Sequence, residues 1–355
     1  MGVRERLLGG TVLVVAASAL GGVAIALAGA AAAPRGDVEF RFQDPAIVES
    51  SGLVASDGLF VTVNDSGDTG RVFVVDPADG RTVGVTSWTA DGAQPRDVEA
   101  VAPVAGASAV WVGDIGDNLA ERASITVVRV PVARGDRTAT PTTYELVYPG
   151  GARDAETLLV DPRGRLLVVT KGLFGGEVMI APKRLDPDGP NRLRRIGPSI
   201  GVATDGAFFP DGRHLVVRSY SGAAVYTYPG LDEVGHFTLP DQQQGEGIAV
   251  DEAGAVFVST EGEHTAVLRV RLPRAITAAI APVPPPTRTV PPATGPADGS
   301  GQGGGSTTST TADASRSDDG PAWLWLLGGL LVLGLAGYVV VATLTAVVQA
   351  RRPHG

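Results

Sequence analysis

The sequence repeats itself, and the repeat limits the folds open to it more than any other feature. An acid followed by a short, mostly apolar run occurs five times: Glu49-Ser50-Ser51-Gly52-Leu53-Val54, Glu99-Ala100-Val101-Ala102, Glu156-Thr157-Leu158-Leu159-Val160, Asp205-Gly206-Ala207-Phe208-Phe209 and Glu246-Gly247-Ile248-Ala249-Val250. Successive lead acids are 50, 57, 49 and 41 residues apart. Four copies continue into a turn (Ser56-Asp57-Gly58, Asp161-Pro162-Arg163-Gly164, Pro210-Asp211-Gly212, Asp251-Glu252-Ala253-Gly254) and then a second apolar run. In all five copies that second run ends in polar residues: Asn64-Asp65, Asp114, Thr170-Lys171, Arg218-Ser219 and Thr260-Glu261. Asp65, Asp114, Lys171, Arg218 and Glu261 stand 16, 15, 15, 13 and 15 residues beyond their lead acids. A register shared by five copies marks each as one supersecondary unit.

The runs are rich in β-branched and aromatic residues and bounded by Gly, Asp and Pro, as strands are. Examples are Leu59–Val63, Val110–Val112, Leu166–Val169, Leu215–Val217 and Val256–Val258. No amphipathic helix interrupts them, so the domain reads as all-β. Third and fourth strands follow at Arg71–Asp76 and Thr82–Ser87, and at Ile125–Val130 and Thr143–Tyr148. Four-strand repeats of ~40–50 residues are the blades of a β-propeller. The fifth copy shows three strands, ending at Ala266–Leu272, while Val38–Phe42 is an orphan strand at the other end. Pairing the two closes the ring and removes an open edge. This predicts five blades, with a sixth, degenerate blade as the alternative because copy two is long.

The innermost strand of each blade lines the channel, and the antiparallel second strand ends where the first begins. This predicts a ring of Glu49, Glu99, Glu156, Asp205 and Glu246 at one channel mouth, beside Asn64, Lys171, Arg218 and Glu261, as the ligand-binding residues. Acids gathered on one axis need relief from cations, hydrogen bonds or raised pKa values. Lys171 and Arg218 are two candidate cations. A bound metal is the third: Asp65-Ser66-Gly67-Asp68 and Asp114-Ile115-Gly116-Asp117-Asn118 share Asp-x-Gly-Asp, and hard oxygen donors around a Gly suit Ca²⁺. Asp65, Asp68, Asp114, Asp117 and Asn118 are therefore the candidate metal ligands. The structural alternatives are acids that bond backbone amides between blades, Asx turns in the two loops, and bases spent in salt bridges.

The ends of the chain point to a membrane. Arg4 and Arg6 precede an apolar run, Leu7 to Ala33, that ends in alanines. That is the layout of a secretory signal, assigned to residues 1–32 with an uncleaved anchor as the alternative. The propeller is assigned to 36–274 and a Pro/Thr/Ser/Gly-rich stalk, too poor in apolar residues to fold, to 275–320. A transmembrane helix is assigned to 321–348: Trp323 to Val348 carries no charge and is long enough to span. The tail 349–355 holds Arg351 and Arg352, which favour the cytoplasmic side and leave the propeller outside. The chain has no cysteine and a formal charge of −9. The first leaves the domain to its core alone; the second argues against nucleic acid as a partner.

Five strings resemble a group of secreted bacterial β-propeller proteins of uncharacterised activity: Glu49–Leu53, Asn64–Asp68, Val112–Asn118, Arg153–Pro162 and Gln244–Gly247. More loosely, the chain resembles the phytase-like and WD40-like propellers. The phytase-like resemblance implies calcium and phosphoester chemistry, although the basic, phosphate-binding cluster of that group is reduced here to Lys171 and Arg218. Two functions follow as expectations. One is a ligand- or partner-binding module with a metal ion at its acidic mouth. The alternative is a Ca²⁺-dependent hydrolase of phosphate or carboxylate esters. No nucleophile motif is present to favour the second.

Overall fold

A computed structural model of the chain describes residues 36–281 apart from Ser66. The signal segment, the stalk beyond 281, the apolar run at 321–348 and the tail lie outside the described residues. Among the described residues, no helix is long and apolar enough to cross a membrane.

Five sheets, each built on four antiparallel strands and two of them carrying a fifth at the edge, account for the repeat. Blade 1 is β2 (Ser50–Ser56), β3 (Leu59–Asn64), β4 (Arg71–Asp76) and β5 (Arg81–Trp88). Blade 2 is β6 (Val98–Pro103), β7 (Ala109–Asp114), β8 (Ile125–Pro131) and β10 (Thr143–Val147). Blade 3 is β11 (Ala155–Val160), β12 (Leu166–Thr170), β13 (Gly176–Ile180) and β15 (Arg194–Ser199). Blade 4 is β16 (Asp205–Phe208), β17 (His214–Arg218), β18 (Gly222–Thr227) and β19 (Glu233–Thr238). Blade 5 is β20 (Gly245–Val250), β21 (Val256–Thr260) and β22 (Ala266–Val270), completed by β1 (Asp37–Arg41). β1 pairs with β22, Asp37 opposite Arg269 and Arg41 opposite Ala266, so the orphan strand closes the ring as expected. The inner strands β2, β6, β11, β16 and β20 touch one another in that cyclic order.

The extra length of copy two does not make a sixth blade. It is spent on β9 (Arg137–Ala139), which crosses back to pair in parallel with β5. β14 (Asn191–Arg192), from the third copy, does the same for β10. Each covers an outer edge of the preceding blade, where unpaired amides would otherwise invite another chain.

Most of these strands are buried on both faces, which is why they read as unbroken apolar runs. In β12, Leu166 and Val168 pack against blade 2, and Leu167 and Val169 against blade 4. The buried residues accordingly form five clusters, one at each blade–blade interface. Fully burying a Val, Leu or Phe side chain stabilises by about 1.5–3 kcal/mol, and with no disulfide available these interfaces carry the domain. The interface that closes the ring is aromatic: Phe60 stacks edge-on against Phe40 at 5.0 Å and Phe257 at 5.1 Å.

A correction applies at the C-terminal boundary. The stalk was assigned from residue 275, but Arg274–Ile280 is helical (α1), and Ile276 is buried among Phe237, Val256 and Val270 of blades 4 and 5. The segment is too short to show helical periodicity in the sequence; Ile276 docks it, with Ile280 packed beside the same cluster.

Candidate functional site

The mouth of the channel is built from β-bulges. In blade 2, Val98 pairs with Asp114 and Ala100 with Gly113, leaving Glu99 as an extra residue. In blade 3, Ala155 pairs with Thr170 and Thr157 with Val169, leaving Glu156. In blade 5 the register shifts between Gly245 and Ile248, leaving Glu246 and Gly247. A bulge re-aims the side chain it carries, and these three glutamates are buried at the start of the inner strands.

The other two lead acids do not share this position. In blade 1 the bulge residue is Ser51, whose Oγ stands 3.1 Å from Glu99 Oε2. Glu49 comes two residues earlier, where its carbonyl accepts the Asp65 amide as that of Asp154 accepts the Lys171 amide. In blade 4 the first two strands pair without a bulge, and Asp205 pairs directly with Arg218. Asp205 is fully buried inside the channel: its carboxylate accepts amides from Gly206 (2.8 Å), Ile248 (2.8 Å) and Leu53 (3.2 Å). It ties three inner strands together, the structural alternative weighed from sequence. Burial pushes its pKa up, against those three hydrogen bonds.

Arg218 is also internal. Its guanidinium donates to the carbonyls of Gly247 (2.9 Å), Ser259 (3.2 Å), Ser219 (3.1 Å) and Tyr220 (3.1 Å), and to Gln242 Oε1 (3.2 Å). Burial pushes it down to about 10, with Glu246 and Asp205 opposing, so it stays charged at neutral pH.

Around the mouth the acids outnumber the bases. Burial pushes Glu99 up to about 10, helped by the charges of Glu156, Asp65 and Asp97. Burial likewise pushes Glu246 up to about 8, with Glu156 adding to it. Glu156 is pushed up to about 7 by burial, restrained by Lys171. Lys171 forms an ion pair with Glu156 and donates to the Tyr220 hydroxyl at 2.8 Å. Those partners hold the ammonium above its ordinary value in spite of burial. The second oxygen of Glu156, Oε2, is buried without a hydrogen-bond partner. Gln244 Nε2 lies 2.7 Å from Glu261 and 3.3 Å from Glu246.

Three carboxylates converge at one side of this mouth. Asp65, Asp97 and Glu99 each present an oxygen, all within 4.8 Å of one another, close enough for one metal ion to bridge them. An all-oxygen set suits a hard divalent cation. Of the five residues expected to bind metal, Asp65 alone is in this group. Asp114 accepts the amides of Arg96 (3.0 Å) and Asp97 (3.1 Å) and pairs with Arg122 at 2.8 Å. Asn64 does the same job in blade 1, accepting the amides of Val48 and Glu49, both at 3.2 Å. The polar ends of these second strands therefore cap the backbone leading into the inner strand. Asp68 pairs with Arg71 at 2.6 Å, Asp117 accepts the amides of Glu121 (2.9 Å) and Arg122 (2.8 Å), and Asn118 is exposed. Asp97 was missed, yet the sequence held its signal: Arg96-Asp97-Val98-Glu99 matches Arg153-Asp154-Ala155-Glu156 residue for residue in its polar positions.

No protein-family model and no curated protein matches the chain. Among solved structures it is similar to a glutaminyl cyclase of Myxococcus xanthus at 13% identity, covering 66% of this chain and 97% of that one with a TM-score of 0.43. It is also similar to a luciferin-regenerating enzyme at 13% identity, covering 68% and 78%, with a TM-score of 0.34. At these values neither likeness carries an argument about what this chain does.

Proposed function

We propose that this propeller is a binding module that takes a hard divalent cation, Ca²⁺ in the first instance, between Asp65, Asp97 and Glu99 at the mouth of its channel. The convergence of those three carboxylates carries the reading. Glu99 supports it further. A buried carboxylate among like charges must hold either a proton or a cation, and Glu99 has no basic partner among the described residues. In this reading the propeller stands outside the membrane, carried by the stalk and the apolar run Trp323–Val348. The charge-free run and the arginines after it support that placement.

Thermal denaturation of the full chain with and without Ca²⁺ tests the site. A ligand at a hundred times its Kd stabilises by about 2.7 kcal/mol, so the expected result is a rise in Tm that saturates. Asp97→Asn and Glu99→Gln are expected to remove the rise without lowering the Tm in EDTA. No rise in the parent chain, or an undiminished one in both variants, sinks the assignment.

One observation favours the alternative, a Ca²⁺-dependent ester hydrolase. Glu156 is pushed up to about 7 beside Lys171 and Tyr220, where a carboxyl group can exchange protons with a substrate. In that case esterase or phosphatase turnover depends on Ca²⁺ and is lost in Glu156→Gln; absence of turnover from the parent chain removes this reading.

A further inference from the structure

Four of the five large apolar side chains that are exposed among the described residues stand on one face of the ring. They are Leu119 (77% exposed), Leu173 (74%), Phe174 (99%) and Tyr220 (38%); Val38 stands apart on β1. Leu119 is in the β7–β8 loop, Leu173 and Phe174 in the β12–β13 loop, and Tyr220 in the β17–β18 loop. These loops all join a second strand to a third, so they rise on the side where the inner strands begin, around the acidic mouth. They belong to three consecutive blades, 2, 3 and 4.

The remaining two blades carry acids in the same loops. Blade 1 has Asp65 and Asp68 after β3, and Glu49 just before β2. Blade 5 has Glu261 and Glu263 after β21. Among the described residues no basic side chain pairs with Glu49, Glu261 or Glu263. Alongside the buried acids of blades 2 and 3 and the exposed Glu121, the face therefore carries exposed apolar side chains over blades 2 to 4 and acids without apolar neighbours in the loops of blades 5 and 1, with Lys171 of blade 3 held by Glu156 and Tyr220.

We infer that this face docks a protein segment with basic side chains along one side and apolar side chains along the other. The inference rests on the reading of the mouth as a binding face and names the chemistry of its partner. Charge complementarity selects this occupant. A second copy of the chain would set two anionic halves and two net charges of −9 against each other. An anionic membrane surface would repel the half formed by blades 5 and 1. A metal ion alone has no use for Leu173 and Phe174, which are largely hydrated in a loop that could have been polar. Exposed apolar side chains on the same-side loops of three consecutive blades, beside polar residues, mark an interaction site.

The test uses the full chain and short fluorescein-labelled amphipathic helical peptides, read by anisotropy. One peptide has lysine and leucine faces; its controls replace every lysine by glutamate or every leucine by serine. The expected result is binding of the lysine–leucine peptide alone. Leu173→Ser with Phe174→Ser should weaken it about tenfold or more, as for an interface anchor, and leave its salt dependence in place. Glu261→Lys with Glu263→Lys should weaken it and flatten the salt dependence. Leu173 and Phe174 are exposed, so their double variant should leave the Tm unchanged; Glu261 is half-buried and bonded to Gln244, so Glu263→Lys alone, at an exposed position, is the control for any loss of Tm in the second. Equal binding of the glutamate–leucine peptide, indifference to the Leu173/Phe174 variant, or binding of phosphatidylcholine vesicles in place of peptide would overturn the inference. A Ca²⁺-dependent Tm without peptide binding leaves the metal reading standing and removes this one; loss of both removes both.

Discussion

Arg218 is a cation enclosed by carbonyl oxygens, and what it holds together is a joint between blades. Its donors end on Gly247 of β20, Ser259 of β21, and Ser219 and Tyr220 of its own blade. Gly245 makes room for it: a Cβ there would fall on Arg218 Nη2, with Gln242 Oε1 and the Tyr220 carbonyl close behind. Arg218→Met keeps the volume but leaves those carbonyls buried without donors, and breaking such an arrangement from one side costs about 3–5 kcal/mol. Gly245→Ala overfills the same spot, at about 1–3 kcal/mol. Urea denaturation should show both losses. Because the two changes act on one contact, the double variant should lose less than their sum, and additive losses would place the two residues in separate interactions.

At the scale of the element, closure of the ring depends on β1, a strand distant in sequence from the blade it completes. Phe40 anchors it, buried between Phe42 at 5.5 Å and Phe60 at 5.0 Å. Phe40→Ala should cost about 3–5 kcal/mol. In hydrogen exchange the amides of β22 should lose protection ahead of those of β12; uniform loss along the chain would mean that β1 is not a separate closing element. The strands themselves, the blade count and this closure could be read from the sequence, because period and apolar runs survive in every copy. The bulges could not. From the first ladder pair of each inner strand to its partner, Ser50 to Asn64, Val98 to Asp114, Ala155 to Thr170, Asp205 to Arg218 and Gly245 to Thr260, the hairpins differ in length by up to three residues. The equal spacing of Glu99–Asp114 and Glu156–Lys171 thus joined residues in different positions. Asp114 closes its ladder, whereas Lys171 lies one residue beyond, where blade 2 has the buried Ile115. A slip of one residue turns a side chain to the other face, so spacing alone placed Asp114 and Arg218 at the mouth when their side chains cap backbone and pin blades.

For the molecule as a whole, the buried glutamates set how stability depends on pH. In the unfolded chain Glu99, Glu156 and Glu246 titrate near 4.3. Folded and without metal, burial holds them protonated to about 10, 7 and 8 respectively. The folded state therefore binds more protons than the unfolded state from about pH 4.5 upward, and stability falls as pH rises through that window. One group held protonated across one pH unit is worth about 1.4 kcal/mol. Carboxylates that work in the opposite sense do so elsewhere, Asp161 and Asp211 among them. Asp161, pulled down by bonds from Arg165, Tyr228 and Arg163 that overcome its burial, and Asp211, pulled down by Arg213 and His214 in the same way, contribute stability above the unfolded value of about 3.9. That contribution is lost only as pH falls through their lower folded values, so it is complete by pH 5. In EDTA the Tm should therefore be highest near pH 5 and decline steadily toward pH 8. Glu99→Gln, which cannot ionise, should make the decline shallower. A Tm that rises from pH 5 to 8 in EDTA would mean that the three glutamates are ionised in the fold and neutralised by groups other than protons.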